Sequence, residues 1–563
     1  MNRKQLSPEF SVSDQISAQD IKLLAESGVL TLICNRPDKE AADQPEYAEL
    51  AAAASAAGMK CVQLPVVHDT INSSQVSAFA QLLASAQVPV HAWCRSGLRS
   101  TALWALARIA AGDPEQAIVD AASAQGFDFS TFGSKFRSVI AELNGSLDNI
   151  AVKAHCPVLI IGGGSGGITL ASSLLKRDAS LAITIVEPAD THYYQPGFTM
   201  VGGGVFNLEQ TRRPMSSLLP QGVTWIQAAV AHFQPEKNMV ILDNGDKYSY
   251  ERLAVSAGLK LNWGAVAGLE ESLGKNGVTS NYRPDLAPYT WELVSKLKSG
   301  KAIFTQPPMP IKCAGAPQKA LYLSGDHWLR NGVLNNVSIE FRNAGPVLFG
   351  VKDYVPALQR YIDRYRAKVH FGNNLVAVDG PNRIATFSCT DAEGKPQKVD
   401  VKFDMLHVCP PQCAPDFMRN SPLADLAGWM DVDQSSLRHK RYANVWGLGD
   451  ITNTPNAKTA AAVRKQAPVV AQNMVADLRN TGNYYGYDGY GSCPLTVERG
   501  KIVLAEFGYG GKLLPTFPSW LLEGRKPTWL AWFLKVTVLP FLYWNLMLKG
   551  NEMMASPDQP LEK

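Results

Sequence analysis

The chain has 563 residues, 46% of them hydrophobic and 18% charged, with a formal net charge of +4. That length exceeds a single core and predicts several domains, while the near-balanced charge gives no basic footprint and excludes nucleic acid as a partner. Nine cysteines, an odd number with no paired CxxC of zinc type, argue for a reducing compartment and chemically used thiols, with no metal and no disulfide framework.

Met1 to Ser11 is polar and lacks an apolar signal core, which argues against secretion. Apolar periodicity then predicts a compact α/β unit: helix 17–26, strand 29–34, helix 45–57, strand 60–65, helix 74–86, strand 88–93 and helix 101–110. The last strand delivers Cys94-Arg95-Ser96-Gly97-Leu98-Arg99-Ser100 to a helix mouth. A cysteine at such a turn meets backbone N–H groups, the positive helix end and Arg99, each of which favours the thiolate. The alternative is a buried cysteine beside a surface turn. Residues 113–150 read as a helical tail and linker, with Ala121-Ala122-Ser123-Ala124 and Asn144-Gly145-Ser146 small or flexible.

A second unit opens with the apolar Pro157-Val158-Leu159-Ile160-Ile161, which runs into Gly162-Gly163-Gly164-Ser165-Gly166-Gly167 and a helix over 168–177. Gly162, Gly164 and Gly167 fit a dinucleotide-binding turn, where missing side chains let the backbone approach a pyrophosphate at the helix N-terminus. The strand 181–186 ends in Glu187, about 20 positions after the last glycine and placed for ribose hydroxyls. After the strand 301–305, Gln306-Pro307-Pro308-Met309-Pro310-Ile311-Lys312-Cys313-Ala314-Gly315 stands where a second glycine fingerprint would be needed for NAD(P)H. Prolines lack the N–H donors a pyrophosphate requires, so NAD(P)H is not the expected electron donor.

Four of the 12 tryptophans lie between Trp520 and Trp544, among leucines, Phe533, Phe541 and Tyr543, with Arg525, Lys526 and Lys549 flanking. Lys535 and Pro540 interrupt the run, which predicts a pair of amphipathic helices lying in a membrane interface rather than one crossing it. The alternative is helices packed on the protein's own core or in a dimer interface.

The Cys94 loop resembles those of tyrosine phosphatases and rhodaneses. It carries four residues between cysteine and arginine, the smaller cradle of rhodanese-type loops that suits a persulfide. With Asn35-Arg36-Pro37-Asp38 and Gln44-Pro45, the run over roughly 4–112 resembles the phosphatase-like sulfurtransferase domain of beta-lactamase-hydrolase-like type. The resemblance favours sulfur transfer at Cys94 and Arg99 over phosphate hydrolysis, for which Asp69 would be the general acid.

Leu253-Ala254-Val255-Ser256-Ala257-Gly258 and Gly447-Leu448-Gly449-Asp450 resemble the second and late signatures of two-dinucleotide-fold flavoproteins. That resemblance implies FAD, with Gly258 at a turn, Asp450 on the ribityl chain and Lys458 at the flavin's pyrimidine edge; the alternative for Lys458 is a solvated lysine. The segment 306–319 is similar to sulfide:quinone oxidoreductases of the type that includes the mitochondrial enzyme. So are Phe349-Gly350-Val351-Lys352, Asp404-Met405-Leu406-His407, Lys458-Thr459-Ala460-Ala461-Ala462-Val463, Ser492-Cys493-Pro494 and Phe541-Leu542-Tyr543-Trp544-Asn545.

The resemblance implies that sulfide is oxidised at two cysteines beside FAD, that electrons pass to quinone, and that a small thiol or sulfite removes the sulfane sulfur. Cys313 matches the cysteine that holds persulfide. The family's second redox cysteine follows the glycine-aspartate pair, where this chain has Ile451. Cys409 and Cys413 lie at a strand end, which in open α/β sheets faces the ligand crevice, and Cys409 is the expected relocated partner. The alternative is that both are bystanders. Cys34, Cys61, Cys156 and Cys389 read as packed thiols, and Cys493 matches a family cysteine without an assignable redox role.

The expected fold class is α/β: a phosphatase/rhodanese-like domain (1–112), a helical tail and linker (113–154), an FAD-dependent oxidoreductase with two Rossmann-like domains (155–484), the first split and completed by about 435–484, and a C-terminal region with membrane-interface helices (485–563). The expected protein is a bifunctional sulfur enzyme, peripheral on the cytoplasmic face of the inner membrane; homo-oligomerisation is compatible with the sequence. Rival readings are a flavoprotein acting on persulfides or disulfides, motivated by Ile451, and a membrane sulfur sensor with a phosphatase-like Cys94 domain.

Overall fold

The computed structural model describes residues 1–41, 44–67, 71–129, 139, 147, 150–391, 393–419 and 421–561. They divide into two units: Met1–His155 with Ala229–Tyr250 and Asp416–Met430, and Cys156–Ala228 with Glu251–Pro415 and Asp431–Lys563.

The first unit is built on a five-stranded sheet in the order Lys4–Ser7, Phe10–Ser13, Val90–Trp93, Thr31–Cys34, Lys60–Gln63. The Lys4–Ser7/Phe10–Ser13 hairpin is antiparallel and the other neighbours are parallel. Parallel strands need cover on both faces. Helices Ala18–Glu26 and Tyr47–Ala56 supply it on one side, burying Ile21, Leu24, Leu50 and Ala54 with Trp93. Helices Ser73–Ser85 and Leu98–Ala110 supply it on the other, burying Val76, Phe79, Leu103 and Trp104 with Phe10 and Ala92. Val90–Trp93 is therefore buried along its length, and its carboxyl end holds Cys94 in place.

Sequence reading missed the N-terminal hairpin, whose four-residue strands mix polar and apolar residues too briefly to show a period. The helix expected at 101 begins at Leu98, because Gly97 adopts the left-handed region (φ 85°) at the N-cap and turns the chain directly into it. The tail contributes helix Glu115–Ala124; Asp69 and Asn144-Gly145-Ser146 lie outside the described residues.

In the second unit Thr224–Ile226, Ile183–Val186, residues 156–161 of strand Val152–Ile161, residues 251–255 of strand Lys247–Val255, and Val445–Gly447 stand side by side in one sheet. A second sheet is parallel throughout, in the order Val278–Thr279, Met405–His407, Gly300–Gln306, Val337–Asn343, Lys368–Phe371. Helix Ala316–Arg330 covers this second sheet, and the hairpin Gly491–Glu498/Lys501–Phe507 packs on that helix through Cys493, Leu495, Val497, Val503 and Ala505.

The C-terminal segment corrects the expectation of two helices: Trp529–Lys549 is one helical run of 21 residues, long and apolar enough by length and composition to cross a membrane. Pro540 lacks an N–H and crowds the carbonyl four residues back. The wide π turn over Leu534–Val538 accommodates it without breaking the helix. Lys535 turns inward and is 2% exposed, whereas Trp529, Phe533 and Phe541 face out.

Candidate functional sites

In the first unit the buried Cys94 Sγ accepts a hydrogen bond from Gly97 N at 3.1 Å. Arg99 follows one turn on and is almost wholly buried. Its guanidinium interacts with Cys94 but is held mainly by other groups: Nη1 and Nη2 donate to the two Glu40 carboxylate oxygens at 2.8 Å each, and Nη1 also donates to Val66 O at 2.7 Å. Arg36 Nε donates to the same Glu40 carboxylate at 2.7 Å. These donors hold the Glu40 carboxyl below its ordinary range, Arg99 most strongly. Glu40 thus sits where two arginine forks would otherwise receive an oxyanion. Ser100 Oγ is buried and has no hydrogen-bond partner among the described residues.

In the second unit a cavity of about 460 Å³ runs from the glycine turn to Cys313 and on to the C-terminal helix. Gly162 (φ 99°) ends Val152–Ile161, and a β-carbon on Gly167 would stand 1.8 Å from Gly162 O, so neither position admits another residue without distortion. Gly164 faces open space at the cavity wall. Glu187, Gly258 and Asp450 line the same cavity. Glu187 accepts from Gly163 N at 2.8 Å, which fixes its carboxylate beside the turn. Asp450 has its carboxyl pushed up by burial against the pull of Lys458 and Lys312. Lys458 Nζ donates to Asp450 O (2.8 Å) and Thr452 O (2.6 Å), and Lys458 O accepts from Cys313 N (2.9 Å).

Cys313 follows the proline-rich exit of Gly300–Gln306 and holds a left-handed backbone (φ 51°), a conformation that costs a side-chain-bearing residue about 1–3 kcal/mol and accumulates at functional sites. Its Sγ accepts from Lys319 Nζ at 3.0 Å and lies 3.6 Å from Cys493 Sγ. Lys319, on the first turn of Ala316–Arg330, is buried; burial pulls its pKa down, yet the two thiols override this and hold it up, in the ammonium form. The Cys313 thiol is pushed well below its ordinary value by the Cys493 S–H and, against burial, by the Lys319 charge. Lys535 Nζ donates to Pro196 O at 2.9 Å and lies over the Tyr194 ring; burial, then the Lys319 charge, lowers its pKa to about 7. Tyr543 on the same helix shares 2.6 Å hydrogen bonds with Ser165 and with His192, tying the helix to the glycine turn.

The sulfur nearest Cys313 differs from the one expected. Cys409 leaves the strand next to Gly300–Gln306 and packs with Tyr282, Ile311, Ala316 and Cys313. Its thiol is pushed up to about 12 by burial, and its hydrogen-bond contacts include the Tyr282 side chain, Pro410 O and Gln412 Nε2. The sulfur–sulfur contact of Cys313 is instead with Cys493, 180 residues away in sequence. Ile451 is fully buried. Sequence reasoning assigned no role to Cys493, Lys319 or Lys535. A lone lysine inside an apolar run was the legible signal for Lys535; the hairpin that brings Cys493 to Cys313 left none.

A glycine turn closed against its own helix, a carboxylate held beside it and a thiol at the far end of one cavity define the class: an α/β dinucleotide-site protein with a cysteine centre. Residues 2–112 match the family model described as "Beta-lactamase hydrolase-like protein, phosphatase-like domain". The chain is 40% identical over 398 residues to the mitochondrial sulfide:quinone oxidoreductase of Mus musculus, covering 71% of this chain and 87% of that protein. It is also 40% identical over 414 residues to that of Dictyostelium discoideum, covering 73% and 90%. The solved sulfide:quinone oxidoreductase of Aquifex aeolicus superposes with a TM-score of 0.58 at 21% identity over 71% of this chain and 92% of that one, a likeness of fold. The chain belongs to the sulfide:quinone oxidoreductase family, with a phosphatase-like domain at its N-terminal end.

Proposed function

We propose that this protein oxidises sulfide to sulfane sulfur with FAD as cofactor and membrane quinone as electron acceptor, and that its Cys94 domain carries sulfane sulfur as a persulfide. The observation that carries this is the Cys313 thiol, paired at 3.0 Å with a buried ammonium, in a cavity that also reaches a dinucleotide turn. Gly162, Gly164 and Gly167 would admit the pyrophosphate, Glu187 would hold the ribose, and Gly258, Asp450 and Lys458 would border the rest of the FAD. When bound, the flavin supplies a two-electron acceptor. Cys313 takes the sulfur, Lys319 holds its thiolate, and the Lys312 and Lys535 amines favour an anionic sulfur nucleophile in the cavity. A small thiol or sulfite then removes the sulfane sulfur. Cys94, with the loop N–H groups and Arg99, would accept it once Glu40 yields its place.

Helix Trp529–Lys549 supports peripheral membrane association: its outward Trp529, Phe533 and Phe541, with Trp520 and Leu521, form an exposed apolar row of the kind that enters a lipid interface. The cytoplasmic face of an inner membrane and the segmentation into 1–112, 113–154, 155–484 and 485–563 complete the proposal.

The test is anaerobic flavin absorbance on adding sulfide and then a short-chain quinone, for the wild type and Cys313→Ser. Bleaching by sulfide, recovery with quinone and loss of both in the variant are expected. A flavin that stays oxidised with sulfide yet bleaches with a persulfide gives the protein a different substrate. For the first unit, sulfur transfer from thiosulfate to cyanide is expected to vanish in Cys94→Ser; hydrolysis of p-nitrophenyl phosphate lost in that variant would assign phosphatase chemistry instead.

A further inference from the structure

The Cys94 site is filled by one of the chain's own anions. We propose that Arg36 joins Arg99 in an oxyanion seat beside Cys94, and that Glu40 is a tethered competitor for that seat, displaced by exchange when an oxyanion of the sulfonate or sulfate class arrives. The inference rests on the sulfur transfer proposed above for Cys94, and it specifies the ligand class and the gate of that site.

Three observations converge. The walls of the seat do not depend on the group that fills it: Arg36 Nη1 donates to Gln15 Oε1 at 2.8 Å and Arg99 Nη1 to Val66 O at 2.7 Å, so both guanidinium groups keep an anchor when Glu40 leaves. Arg36 Nε and Arg99 Nη2 meet on one oxygen, Glu40 Oε2, at 2.7 and 2.8 Å, and Arg99 Nη1 holds Oε1 at 2.8 Å. Planar forks converging in this way match the oxygens of a small oxyanion as well as those of a carboxylate. Secondly, the Glu40 side chain is 24% exposed, against 6% for Arg36 and 7% for Arg99. The carboxylate is therefore the solvent side of the site, and the two arginines are its floor. Thirdly, Lys39, directly before Glu40, has a φ of 63°, a left-handed backbone uncommon in a residue with a side chain. Asp38, one residue earlier, is anchored by accepting from Tyr47 N at 2.8 Å. Rotation at Lys39 relieves that conformation and carries Glu40 away while the chain before it stays in place.

Removing the anion from two buried guanidinium groups would leave uncompensated charge. Glu40 therefore departs in exchange for another anion rather than by opening onto water. Arg99 also interacts with Cys94, so the arriving oxyanion lies beside that sulfur. The groups that hold Glu40 are all donors. A fully deprotonated oxyanion satisfies them, whereas the hydroxyl of a protonated phosphate would face a donor. A competitor tethered inside the site lowers the apparent affinity of every ligand by the fraction of time the seat is vacant, so Cys94 stays screened until its substrate is abundant.

The experiment uses the full-length protein. Alkylation of Cys94 by neutral iodoacetamide is followed by peptide mass at pH 6 as sodium sulfate replaces sodium chloride at constant ionic strength, for the wild type and Glu40→Gln. Saturable protection of Cys94 is expected, with half-protection at about tenfold less sulfate in Glu40→Gln. Phosphate, largely protonated under these conditions, should protect only at higher concentration; protection at equal concentration removes the ligand class. In the wild type, amide hydrogen exchange of the peptide carrying Glu40 should speed up as sulfate saturates, because the ligand expels the segment it replaces. No protection, equal half-protection in the two proteins, or exchange that is unchanged or slowed by sulfate overturns the seat. If Glu40→Gln fails to fold, exchange in the wild type decides. Sulfur transfer from thiosulfate to cyanide is read alongside, and competitive inhibition by sulfate is expected. Protection and faster exchange without any sulfur transferred remove the sulfur-transfer reading and keep the seat; transfer that is lost in Cys94→Ser yet indifferent to sulfate keeps that reading and removes the seat.

Discussion

Cys94 and Cys313 occupy equivalent places in their sheets. Each lies beyond the carboxyl end of a buried parallel strand, ahead of a helix, with a cation on that helix's first turns. Their electrostatics differ. Lys319 points its ammonium at Cys313 Sγ, while Arg99 is clasped by Glu40. Strand-to-helix geometry alone therefore does not make a reactive thiol. What decides is whether the nearby cation is spent on the sulfur alone or shared with a carboxylate that can be displaced. The Cys313 site is pre-organised, and the Cys94 site is held shut by an internal anion.

The most damaging change to this contrast is the loss of Cys313 itself: Cys313→Ser should lower sulfide-driven flavin reduction by about a thousandfold or more, read by stopped-flow absorbance. Next is Lys319→Met, which removes a charge-assisted hydrogen bond of about 1.5–3 kcal/mol. The pH midpoint for alkylation of Cys313 should move up by about one to two units. An unmoved midpoint would show that the ammonium does not stabilise the thiolate. Glu40→Gln should sharpen the comparison from the other side: with Arg99 and Arg36 released, anionic iodoacetate should modify Cys94 about tenfold faster, and neutral iodoacetamide much less so.

The smallest effect is one of acid stability and is common to both units. His91, between Ser11 and Ser13, and His407, accepting from Asn281 N, are each pushed down to about 3 by burial, and His192 to about 4. Their folded pKa values lie below the unfolded value near 6.5, so the unfolded chain binds more protons in between. Stability is fully present above about 6.5 and falls as pH drops towards 4, by at most about 1.4 kcal/mol per pH unit per histidine. Urea midpoints at pH 7 and pH 5 measure it, and His91→Gln should flatten the slope for the first unit.

Much of this was legible in the sequence. The strand-to-glycine-to-helix run 157–177 and the strand-to-cysteine-to-helix run 90–110 have the element order that local pattern gave them, because each is made of contiguous residues, although both helices begin three residues earlier, at Ser165 and Leu98. What escaped was long-range. Glu40 is 59 residues from Arg99, and sequence reading, which had set Arg99 beside Cys94, gave Glu40 no part in the site. Cys493 reaches Cys313 because a hairpin packs on Ala316–Arg330, a consequence of tertiary packing that no spacing announces. The single C-terminal helix was misread because Pro540 and Lys535 look like breaks in one dimension. In three dimensions a widened turn absorbs the first, and an inward cavity receives the second.

Tyr543 and Lys535 give that helix a second office. A segment with one side towards lipid and the other hydrogen-bonded to Ser165, His192 and Pro196 cannot be treated as a detachable tether. Cutting the chain at Thr528 would take away a wall of the cavity along with the membrane contact, so the shortened protein should lose its cofactor on gel filtration even in detergent. For a quinone, the relevant quantity becomes its surface density in the bilayer rather than its concentration in water: the encounter is lateral, and its rate should scale with mole fraction in the lipid, whatever the volume of buffer.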